Sequence, residues 1–104
     1  MIISTSESIT GKQITQTLGI VKGNTTRARG IGFDIVASIK MIFGGEISEY
    51  SQLMSQAREQ AFERLESEAK ELGADGVVAV RMSTSMISSG TSEILVYGTA
   101  VKFS

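Results

Sequence analysis

The chain has 104 residues with ten basic and eleven acidic side chains, a net charge of -1, so it matches one domain and carries no positive surplus for a polyanion such as nucleic acid. It contains no Cys and no His, which excludes disulfides, thiol catalysis and thiolate or imidazole metal ligands, and removes the usual general base near neutral pH. No apolar run approaches the roughly 18 residues of a membrane span, and the opening MIISTSESITGK has no basic stretch followed by an apolar one, so a cytoplasmic protein without an integral membrane segment is expected.

In chain order, Ile2 to Thr5 is short and β-branched and reads as an edge strand. After the Thr10-Gly11 turn signal, residues 12–25 read as a strand, with alternation through Ile14, Gln16 and Leu18. Gly19 and Gly23 inside it point to a bulge or to another backbone in close approach. Neither this Gly-x-Val-x-Gly nor Gly30 with Gly32 continues into a phosphate-binding sequence, so backbone bending accounts for them. From Ile31 to Phe43, Ile35, Val36, Ile39, Ile42 and Phe43 share one helical face, which predicts a second, shorter helix whose apolar side must be covered. Packing within or between subunits is the expected cover. An interfacial membrane helix would want more basic residues than Lys40 supplies. Gly44-Gly45 ends that segment.

The longest periodic segment is Ser48 to Gly73. Tyr50, Leu53, Met54, Ala57, Ala61, Leu65, Ala69 and Leu72 recur at steps of three and four and form one stripe, with Ser48 as N-cap and Gly73 as the left-handed terminator. Residues 76–87 and 93–103 are β-rich runs separated by SSGTS, which predicts a hairpin packed on this helix. With a turn centred on Gly90, one face carries Val78, Val80, Met82, Met86, Ile94, Val96, Gly98 and Ala100, and the other carries Val77, Ala79, Leu95, Tyr97, Val101 and Phe103. The small residues Gly98 and Ala100 assign the first face to the helix. The second face then needs another cover, for which a neighbouring subunit is the simplest source. A homo-oligomer is therefore expected, with Ile35, Ile39, Leu95, Tyr97 and Phe103 as candidate interface residues.

LGADGVVAV at 72–80, GTAV at 98–101, Ala57 and Ala61 within the long helix, Gly19-x-Val21-x-Gly23, and Gly44-Gly45 followed by Tyr50 together resemble the YbjQ-like family, from about Ile3 to Lys102. The resemblance implies one α+β domain over residues 1–104, bacterial or archaeal, with a dodecin-subunit-like β-α-β-β order closed into a homopentamer by extra short strands. It also implies a family labelled as heavy-metal-binding without an established activity. With no Cys or His, such a chain offers only carboxylates, carbonyls, hydroxyls and Met thioethers, and oxygen ligands suit Mg, Ca or Mn better than soft metals.

Other chemistries leave weaker traces. Glu46 and Glu49 near a helix start serve the dipole, Asp75 with Gly76 reads as a turn before a strand, and the Met residues read as core filler unless Met41, Met54, Met82 and Met86 converge in an assembly. No nucleophile and base pair with suggestive spacing is visible, so no catalytic or cofactor-binding residues are assigned and an enzyme using carboxylates is the least favoured reading. The leading expectation is an oligomeric module that binds a metal ion or small ligand between subunits. A structural or scaffolding homo-oligomer without a ligand is the alternative.

Overall fold

The computed structural model describes residues 1–28 and 48–104; the helix expected over residues 31–43, with Ile35 and Ile39, lies outside them. Its elements are strands β1 (Ile2–Ile3) and β2 (Ile14–Ala28), helix α1 (Ser48–Glu71), and strands β3 (Gly76–Ser88) and β4 (Thr91–Phe103). They form a four-stranded sheet in the order β1-β3-β4-β2, with one helix on one face. The short β1 runs parallel to β3, with Ile2 opposite Gly76, and the other neighbours are antiparallel. The fold is a small α+β arrangement, as the sequence pattern predicts.

Local chemistry sets the ends of the elements. Gly73 adopts φ 77°. Its N–H donates to the Lys70 carbonyl at 3.0 Å and the Ala74 N–H to the Ala69 carbonyl at 3.1 Å, the paired bonds that close a helix on a left-handed residue. Leu72, expected in the apolar stripe, is exposed because the chain leaves the helix axis at this point. The hairpin loop is tighter than expected: only Ser89 and Gly90 separate β3 from β4.

Ala57, Ala61, Leu65 and Ala69 are buried against Val21, Val77, Val80, Ile94, Val96 and Ala100, with Ile3, Leu18, Met54 and Phe62 packed around them. Phe62 lies one position off the expected stripe. The hairpin packs on the helix as expected, through Val77, Val80, Ile94, Val96 and Ala100, but the helix backbone lies nearest β2, then β4, and farthest from β3. Gly23 explains this placement. A Cβ there would fall on the Ala61 carbonyl oxygen and within 2.5 Å of the Leu65 nitrogen, so the missing side chain is what lets the helix backbone touch the strand. Beside it, the buried Thr25 hydroxyl donates to the Ala57 carbonyl at 3.0 Å and Arg64 Nη1 donates to the Asn24 carbonyl at 2.6 Å.

The hairpin register also differs in one place. Val78 faces Thr99 and Arg81 faces Tyr97, so Ala79 and Val80 together oppose Gly98 in a bulge, with Ala79 at φ 54°. A bulge shifts the alternation by one residue. Val77 therefore points to the helix and Val78 away from it, the reverse of the expected faces, while Val80, Ile94, Val96 and Ala100 face the helix as expected. Gly98 accommodates the bulge, because a Cβ there would lie 2.8 Å from Val77 Cγ1 and 2.9 Å from Val80 Cγ2. The N-terminal segment follows the bulge closely: the Ala79 N–H donates to the Ser6 carbonyl at 2.8 Å and the Val80 N–H to the Ser4 carbonyl at 3.0 Å.

Two stability measurements check this packing. Leu65→Ala is expected to cost about 2 to 5 kcal/mol, because it empties a buried site beneath the helix. Glu66→Ala removes only a surface pair with Lys70 at 3.5 Å and is expected to cost less than about 0.5 kcal/mol. Equal urea midpoints for the two variants would show that the helix is rotated from this orientation. Gly23→Ala is expected to lower the midpoint by the equivalent of about 1 to 3 kcal/mol through overpacking. An unchanged or raised midpoint would show that the helix stands off β2.

Candidate functional site

The sheet face opposite α1 is set by the cross-strand register, since directly opposed residues share a face. Its rows run Val78, Thr99 and Ile20, then Arg81, Tyr97 and Lys22, then Ser83, Leu95 and Asn24, then Ser85, Glu93 and Thr26. Its apolar side chains are Ile20 on β2, Val78 on β3, and Tyr97 and Leu95 on β4, set among Thr99, Glu93 and the polar residues of the remaining positions. Ile20 is 77% exposed and Tyr97 42% exposed, whereas Leu95 and Phe103 are half-buried. Arg81 is turned toward the N-terminal segment, its Nη1 donating to the Thr5 and Val80 carbonyls at 2.8 Å each. The alternation read from Ile14 through Leu18 does not single out Ile20. A register shift between Thr17 and Gly19 breaks the pattern just before it, and Gly19 adopts φ 124° there.

Among the described residues the candidate ligand groups do not gather within one chain. Among the described residues no cluster of three or more Asp or Glu is placed to hold a metal ion. Asp75 Oδ2 accepts the Phe103 N–H at 2.9 Å, and the Asp75 N–H donates to the Val101 carbonyl at 2.9 Å, so this residue ties the start of β3 to the end of β4. Met54 packs against the core, while Met82 and Met86 are exposed on one side of β3. Those two lie four residues apart, about 13 Å along a strand, too far for both sulfurs to meet one ion. Glu46 and Met41 lie outside the described residues.

Shallow grooves lie elsewhere on the described surface, two of them beside Arg27 and Lys12. One is lined by Arg27, Ser55, Gln56, Glu59, Gln60 and Glu63. Its cation is engaged internally, Nη2 donating to Gln60 Oε1 and Nη1 to the Thr26 carbonyl. In the other, the Lys12 ammonium stands 5.9 Å from the Phe103 ring centre, beside Met1, Ile2, Asp75 and Ser104.

A family profile described as "Putative heavy-metal-binding" matches residues 1–104. The chain is 49% identical over 102 residues to a UPF0145 protein of Methanosarcina acetivorans, covering 98% of this chain and 96% of that one. It is 50% identical over 101 residues to a UPF0145 protein of Dehalococcoides mccartyi, 97% of each chain, and 51% identical over 102 residues to one from Halorubrum lacusprofundi, 98% of each. Among solved structures, a protein of unknown function from Pediococcus pentosaceus, assigned to the DUF74 family, superposes with TM-score 0.71 at 16% identity over 100% of this chain and 98% of that one, a likeness of fold. No described helix is long and apolar enough to cross a membrane. With the profile spanning every residue and relatives at about half identity end to end, the chain belongs to the YbjQ family.

Proposed function

We propose that the chain is a non-enzymatic, homo-oligomeric binding module, a pentamer of dodecin-like subunits, in which neighbouring copies cover the sheet face opposite α1 and any metal ion or small ligand is held between subunits. The observation that carries this reading is Ile20, 77% exposed on a sheet face whose central strand also presents Tyr97 and Leu95. Leaving a large aliphatic side chain in water beside an aromatic one forgoes about 1.5 to 3 kcal/mol that burial would recover. Repeated over a closed ring, that gain favours assembly.

The metal in this reading comes from symmetry. A single subunit has no thiolate or imidazole to offer, and a carboxylate repeated around a rotation axis gathers ligands that one copy lacks. Such a ring favours hard cations over Zn²⁺ or Cu²⁺.

Light scattering is expected to give a mass several times the 11.1 kDa of one chain, and Ile20→Lys to shift the distribution toward smaller species without loss of helical signal. A monodisperse monomer of the unsubstituted protein at micromolar concentration overturns the reading. Titration calorimetry of the tag-free protein is expected to show weak or no Zn²⁺ binding. One submicromolar Zn²⁺ site per subunit would overturn the hard-cation assignment.

A further inference from the structure

The outer edge of β3 is open where it leaves the N-terminal segment. Ser4 and Ser6 occupy that edge as far as Val80, and among the described residues no backbone group pairs with it from Arg81 to Ser88, where the hairpin turn begins. Every residue of that stretch is exposed, including Met86 at 73% and Ile87 at 56%, because the helix lies toward β2 and leaves this part of the sheet bare. An open, apolar edge is normally blunted by charge or proline. Met82 to Ser88 has neither.

The stretch has one further property. Met82-Ser83-Thr84-Ser85-Met86 reads the same in both directions. Two identical strands paired antiparallel about a two-fold axis place residue i opposite residue 168 minus i when the axis passes Thr84. That register sets Met82 opposite Met86 of the partner subunit, Ser83 opposite Ser85 of the partner subunit, and Thr84 opposite the partner's Thr84. Like side chains meet like at every step. The limits of the free edge are compatible with this centre: from Arg81 to Ser88 the midpoint falls between Thr84 and Ser85, and pairing stops where Ser4 to Ser6 already occupy the edge. The only charge in the register, Arg81, falls at its end, opposite Ile87 of the partner subunit.

We propose that β3 is a homotypic docking edge, pairing Met82–Met86 with the same residues of a second copy about a two-fold axis at Thr84 and joining two sheets into one. The occupant is a second copy because the sequence symmetry serves only a strand identical to itself. This contact rests on the reading that the chain self-associates, but it uses the sheet edge and is independent of the face that carries Ile20.

The chain has no cysteine, so single-cysteine variants report the register cleanly. In the proposed pairing the two Thr84 Cα atoms lie about 4.5 to 5.5 Å apart, inside the disulfide range. The two Met86 Cα atoms are displaced by four residues, about 13 Å. Under mild oxidation of the full chain, Thr84→Cys is expected to run mostly as a disulfide-linked dimer, Met86→Cys to stay uncrosslinked, and the double variant Met82→Cys/Met86→Cys to crosslink. Thr84→Lys, which sets two like charges face to face, is expected to remove this contact and reduce the mass seen by light scattering. Equal crosslinking of the two single variants overturns the register. No crosslinking of Thr84→Cys, with an oligomer still present by light scattering, overturns this edge contact and leaves the subunit-covered face standing; that outcome includes an edge taken by an extended segment of another protein. A monomer in both measurements overturns the two together.

Discussion

The contact between the helix backbone and β2 at Gly23 governs the rest of the architecture. At most helix–sheet contacts side chains from both elements hold the backbones apart. At Gly23 the strand contributes none, and Ala57 and Ala61 keep the helix side small, so the Ala61 carbonyl and Leu65 nitrogen come down onto the strand itself. Thr25 then satisfies the Ala57 carbonyl. The helix is thereby tied to β2, which stands at one edge of the sheet, and does not also shield the far part of β3, from Arg81 to Ser88. The exposed Met82, Met86 and Ile87 are a consequence of that placement.

The bulge at Ala79 and Val80 is the second determinant. Ala79 sits in the left-handed region, which costs an L-residue roughly 1 to 2 kcal/mol, and the strain is held by the bonds that Ala79 and Val80 donate to Ser6 and Ser4. In return, Val77 and Val80 both point at the helix from the same strand. Gly98 provides the space beneath them. The N-terminal segment therefore secures the bulge and also sets where the free edge of β3 begins.

The heavy-metal description of the family meets a chain without Cys or His. Soft ions draw their affinity from the ligand types this chain lacks. Asp75 spends its carboxylate on a backbone N–H, and Met82 and Met86 are too far apart along β3 for one ion. Among the described residues, no one copy gathers a set of carboxylates for a metal ion.

Much of the fold is legible in the residues, because its signals are local. A period of 3.6 across Leu53 to Ala69, a left-handed glycine at Gly73 and a Ser-Gly turn between two β-branched runs each act within a few neighbours, and the helix and hairpin form where those signals place them. The glycines at 19 and 23 likewise announce a bulge and a close approach. Which face each residue occupies was a different matter. Val77 and Val78 exchange sides because Ala79 takes a conformation that alanine rarely adopts, sustained by bonds to Ser4 and Ser6 more than seventy positions away. Likewise the seat of the helix on β2, and hence the exposure of Ile20 and the open edge at Thr84, follows from backbone contact across the chain that no local pattern encodes. The sequence by itself determined the elements and their ends, since propensity and capping are short-range; only the tertiary structure decided the faces and edges left uncovered, since those depend on where distant backbones meet.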